Sequence, residues 1–104
     1  SVEKRILGAV ASNLGVTDID FLARLVDWGD IIRKTFYDGG IEEIISTRRL
    51  VHIVRAYKIF GDKMKSIQVC VNRFDDETKQ AFLELYDKVD ADVDIDKLED
   101  KMYD

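Results

Sequence analysis

Residues 44–61 read IISTRRLVHIVRAYKIFG. At about 100° per residue, Leu50, Ile53, Val54, Tyr57 and Phe60 fall on one side of a helix. Arg48, His52 and Arg55 lie within about 60° of one another on the opposite side. This split predicts an amphipathic helix with one buried face. The helix opens at Ser46 or Thr47, residue types that cap helix starts, and stops at Gly61. Arg48 then stands in the first turn, where free backbone N–H groups and the dipole favour an anion. A cationic side chain there runs against the dipole, which makes sense when it serves an external anion. Phosphate is the natural candidate, because a guanidinium offers it paired donors. The plainer alternative is a solvated basic face. His52 reads as a surface or boundary residue and not as a metal ligand, since the chain has no second histidine.

The flanking segments continue the helical pattern. Val2, Ile6, Val10 and Leu14, with Leu7 beside them, form a stripe that ends at Gly15. From Asp18 to about Tyr37, Leu22, Leu25, Val26, Ile32 and Phe36 make one wide face, joined by Phe21 and Trp28. Thr17 with Asp20 resembles a capping box at the start of that helix. Gly29 lies inside it, at a cost of about 1 kcal/mol against alanine, and leaves room for a second helix to pack closely. Asp38-Gly39-Gly40 break the chain, and Ile41 to Ile45 read as a short connection. Asp62 caps a fourth segment, Lys63 to Phe74, in which Ile67, Val69 and Val71 also alternate as a strand would. A fifth helix starts at Asp75 or Asp76 and runs to about Val89, with Phe82, Leu85, Tyr86 and Val89 at helical spacing. Four or five amphipathic helices with short connections predict an all-α bundle.

Composition bounds the rest. The chain has 104 residues, 46% apolar and 36% charged, enough for one modest core and one domain. Residues 90–104 hold seven of the 21 acids and two of the 16 bases, which leaves 14 of each in residues 1–89. The net charge of −5 therefore belongs to an acidic tail, 90–104, expected to be partly docked or disordered beyond a neutral helical domain, 1–89. That balance argues against nucleic acid as a partner. No apolar run reaches about 18 residues, so no membrane span is expected, and Ser1 to Lys4 do not read as a signal peptide. A single cysteine, Cys70, makes no internal disulfide and points to a reducing, cytoplasmic compartment.

With Ser46-Thr47-Arg48 at the start of the third helix, the sequence resembles the C-terminal lid domain of AAA+ ATPases. The likeness is to the MoxR-like group and to CobS-like proteins, including phage-encoded ones. Ser46-Thr47-Arg48 matches the sensor-2 motif of that family, and Glu3 with Ile6-Leu7 resembles the start of the first lid helix, after the core-to-lid linker. Ile59-Phe60-Gly61-Asp62-Lys63 and Asn72-Arg73-Phe74-Asp75-Asp76-Glu77-Thr78-Lys79 resemble the CobS-like subset. The likeness covers about residues 2–89. It implies that Arg48 contacts the phosphates of ATP held with Mg²⁺ in a core domain, and couples nucleotide state to the conformation of a ring oligomer. Ser46, Thr47, His52 and Arg55 would extend that polar site. The implied partners are the AAA+ core of the same chain, neighbouring subunits, and a protein substrate or adaptor.

No G-x-x-x-x-G-K-[ST] motif is present, so this chain alone is not expected to hydrolyse ATP; the parent protein would be the ATPase. The chain reads either as part of a longer ATPase or as a detached lid. In the latter case it would be a helical interaction module with no nucleotide role, its Arg48–His52–Arg55 face meeting an acidic partner. Asp90, Asp92, Asp94 and Asp96 alternate like the start of an EF-hand loop, but Ile95 and Lys101 stand where glycine and glutamate belong, so no metal site is expected. Cys70 reads as a small core residue.

Overall fold

The computed structural model describes residues 2–90 in full and residues 91–103 only as backbone of the last helix. Five helices follow in order: α1 (Val2–Leu14), α2 (Ile19–Tyr37), α3 (Thr47–Phe60), α4 (Lys63–Val71) and α5 (Asp76–Tyr103). No strand occurs among the described residues, and the expected all-α bundle is what forms. α3 packs on α4 and α1, and α2 packs on α5, α1 and α3.

The long helix α2 supplies most of the core. Phe21, Leu22, Leu25, Val26, Trp28 and Ile32 are buried along it. The Trp28 indole N–H donates to the Phe82 carbonyl at 2.8 Å, and its ring meets Tyr86 edge-on at 5.6 Å. That bond satisfies the one polar atom of a fully buried ring and pins α2 to α5. Phe21 meets Tyr57 edge-on at 4.8 Å, which joins α2 to α3. Gly29 is buried where α3 crosses: an added Cβ would lie 3.2 Å from Leu50 Cδ1. Its missing side chain is what lets the two helices approach.

Local signals place the ends. Asp18, not Thr17, caps α2, its carboxylate accepting from the Phe21 amide at 3.0 Å. Ser46 caps α3, and Gly61 closes it at φ 69°, a left-handed conformation that costs glycine nothing. Asp62 caps α4 through the Lys65 amide, and Asp75 accepts from the Thr78 amide at the start of α5.

Several expectations shift. In α1 the buried residues are Leu7 and Ala11, with Val10 and Leu14 flanking, while Val2 and Ile6 are exposed. The Val2–Ile6 line lies on the rim because Leu7 and Ala11, four apart, face the core. In α4 the alternative between helix and strand resolves as helix: Ile67, Cys70 and Val71 are buried and Val69 points out. The helix ends at Val71, three residues short of Phe74. Phe60, expected on the buried side of α3, is exposed, and Lys65 Nζ sits 4.8 Å above its ring. Phe36 is likewise at the surface. α5 continues past Val89, where no glycine or proline interrupts the sequence. The expected docking of the tail, and the aspartates at 92, 94 and 96, lie outside the residues described in full. No helix among the described residues is long and apolar enough to cross a membrane.

Candidate functional site

The opening of α3 is held from three directions. Ser46 has extended backbone, and its Oγ accepts from the Arg49 amide at 3.3 Å. The Thr47 hydroxyl donates to Glu3 Oε2, in the first turn of α1, at 2.6 Å. Glu3 also accepts from both terminal nitrogens of Arg33 on α2, at 3.1 Å from Nη1 and closer from Nη2. Arg33 reaches Asp30 Oδ1 at 3.1 Å and the Ile45 carbonyl at 3.3 Å. The hydrogen bond to Glu3 raises the Arg33 pKa above its ordinary value, against the opposing effect of burial. Glu3, Arg33 and Thr47 thus tie the first turns of α1 and α3 to the middle of α2. Ile45, expected as mere connection, is fully buried and anchors the strap into α3.

This framework sets out Arg48. The side chain is exposed, and among the described residues it has no hydrogen bond, ion pair or ring contact. His52 and Arg55 are exposed on the same face, one and two turns further along. The three residues that the sequence groups together therefore share one solvent-facing side of α3. Ser46 and Thr47 sit at its start with their hydroxyls engaged in the cap and in the bond to Glu3.

Arg49 turns the other way. Its guanidinium lies over the Phe74 ring, 4.9 Å from the centroid. With His52, Cys70 and Arg73 it lines a hollow of about 60 Å³ between α3 and α4. Cys70 is buried, and burial pushes its thiol pKa up against the lowering influence of Arg49 and Arg73. It is therefore a poor nucleophile. No group of three histidine, cysteine, aspartate or glutamate residues that could hold a metal ion occurs among the described residues.

Sequence reasoning missed the Glu3–Arg33–Thr47 cluster. Its members lie 30 and 44 residues apart, and no local spacing encodes their meeting. The one available signal is Arg33 directly after Ile31-Ile32, near the buried side of α2.

Comparison with known proteins adds one match. A family model described as CbbQ/NirQ/NorQ C-terminal matches residues 3–89. No curated protein and no solved structure matches the chain.

Proposed function

The chain belongs to the CbbQ/NirQ/NorQ C-terminal family, the lid domain of MoxR-like AAA+ ATPases, and on that footing we propose that Arg48 is its phosphate-directed residue. Family membership implies an AAA+ core domain as partner in the parent protein. ATP and Mg²⁺ would be held by that core, since this chain carries no P-loop. In this reading the lid contributes a guanidinium to the nucleotide phosphates.

One observation carries this reading: an unpaired, exposed arginine stands in the first turn of α3, on a backbone that other residues hold still. The held backbone fixes where the guanidinium can reach, so the ordering left for the anion is confined to the Arg48 side chain itself. Glu3 extends the argument to coupling. It lies in the first turn of α1, which in the family reading follows the linker from the core. Motion of that turn carries the start of α3, and with it Arg48, as one unit. Nucleotide state and lid position in a ring are then linked through Glu3, Arg33 and Thr47. His52 and Arg55 widen the same face for a phosphate or for an acidic residue of a neighbouring subunit. In this reading residues 1–89 are the working domain, residues 90–104 an acidic extension, and the parent protein a cytoplasmic ATPase.

The test is nucleotide affinity of the parent protein with Arg48→Ala. Loss of a charge-assisted phosphate contact should weaken ATP on the order of tenfold. Unchanged ATP affinity, with the lid still folded, would leave the Arg48–His52–Arg55 face as an interaction surface without a nucleotide role.

A further inference from the structure

The hollow between α3 and α4 borders the Arg48 face of α3, and His52 stands at the boundary between the two. Arg49 and His52 reach it from α3, and Arg73 from the turn after α4; Cys70 is in its wall. No carboxylate lines it. Neither Arg49 nor Arg73 makes an ion pair among the described residues, although other cations of the bundle do: Arg24 with Asp90, Arg33 with Glu3 and Asp30, Lys63 with Asp18. Two guanidinium groups therefore line one small space beside the His52 imidazole, with no acidic partner there.

The geometry favours a ligand over solvent. Arg49 is held by its stacking on Phe74, so its planar donors are presented with little freedom to lose. Both arginines also act to lower the Cys70 thiol pKa, against the larger raising effect of burial. The hollow, about 60 Å³ and open to solvent on one side, has room for a small ion, since by the same measure one water needs only roughly 10–15 Å³.

We propose that the Arg49–His52–Arg73 hollow is a second anion site, which takes a single phosphate-class oxyanion independently of Arg48. The oxyanion is either free phosphate or the terminal phosphate of a larger molecule whose remainder stays outside. Two planar guanidiniums suit a tetrahedral dianion with several acceptor oxygens, whereas chloride offers no such match.

The experiment is a titration of the whole chain with inorganic phosphate at constant ionic strength, followed by amide and arginine side-chain NMR shifts, with chloride as the comparison. The inference predicts saturable shifts at Arg49, His52, Cys70 and Arg73. It predicts at least tenfold weaker binding in Arg73→Gln, an exposed turn residue whose loss leaves the core intact. Arg49→Lys, which keeps charge but not the fork, should also weaken it, and Arg48→Gln should not. Linear shifts, or equal shifts with chloride, would mean an adventitious ion only and overturn the proposal. Weakening by Arg48→Gln alone would overturn it too. A parallel ATP titration separates the sources: competition with phosphate at the same four residues identifies a nucleotide's terminal phosphate, and its absence identifies the free ion.

Discussion

Replacing Glu3 by alanine should loosen the start of α3 without touching the hydrophobic core. The substitution removes the acceptor for two Arg33 nitrogens and for the Thr47 hydroxyl. The Glu3 side chain is 11% exposed and that of Arg33 28%, so both are shielded but not sealed. Breaking a fully buried pair costs about 3–5 kcal/mol. Arg33 keeps Asp30 and the Ile45 carbonyl and can recruit water, which brings the expected loss to about 2 kcal/mol. For a domain of this size that lowers Tm by roughly 8–15 °C. The single tryptophan, Trp28, is fully buried against Tyr86, so its fluorescence reports global unfolding. With a slope of about 2 kcal/mol per M of urea, the midpoint should fall by about 1 M at unchanged slope. Amide exchange at the start of α3 should accelerate more than in α5. Glu3→Gln keeps an acceptor for Thr47 but loses the charge, and should fall between. A Glu3→Ala midpoint within about 0.25 M of the unmodified chain would refute the claim that this cluster holds α3 in place.

Three further outcomes follow from the packing. For Asp18, burial works to raise the carboxyl pKa, but the Phe21 amide, Lys63 and the Tyr57 hydroxyl outweigh it, so the net shift is downward from 3.8. A lowered folded pKa contributes stability above the ordinary value, which is lost as pH falls through the folded one. Urea midpoints should therefore drop between about pH 5 and pH 3; Asp18→Asn, which keeps the cap but not the charge, should flatten that drop, and an identical drop would remove Asp18 as a cause. Gly29→Ala sets a gain of about 1 kcal/mol in helix propensity against a tight contact with Leu50, and should be near neutral by thermal melting. Gly29→Val adds two methyls to that contact and should cost about 1–3 kcal/mol; a valine variant as stable as the alanine one would contradict the close α2–α3 crossing. Trp28→Phe strips the Phe82 carbonyl of its indole donor and should cost about 1–3 kcal/mol, read by calorimetry since the fluorophore is gone.

The third helix was legible because its signals are local. Ser46 and Gly61 mark its ends, and Leu50, Ile53 and Val54 share a face whatever they pack against. α1 shows where periodicity alone gives out. Val2, Ile6, Val10 and Leu14 make a good stripe, but Leu7 and Ala11 lie close beside it on the same wheel, and only the approach of α2 and α3 decides which line is central. Thr17 and Asp18 are both capping residues; Asp18 wins because its carboxylate also meets Tyr57 and Lys63, from other elements. On α3 the exposed Arg48, His52 and Arg55 could be grouped from their spacing. What secures Arg48 could not, since Glu3, itself held by Arg33, meets Thr47 only after three helices have assembled. Arg49 is a similar case: its partner, Phe74, lies beyond the end of α4.

The central claim is that Arg48 faces the nucleotide phosphates, and ATP turnover by the parent ATPase tests it most directly, with Arg48, Arg48→Lys and Arg48→Gln compared in otherwise identical protein. A graded loss is expected. Lysine keeps the charge without the planar fork and retains part of the rate, and glutamine falls by tenfold or more. Full turnover with Arg48→Gln, in protein whose Trp28 fluorescence shows an intact lid, would contradict it.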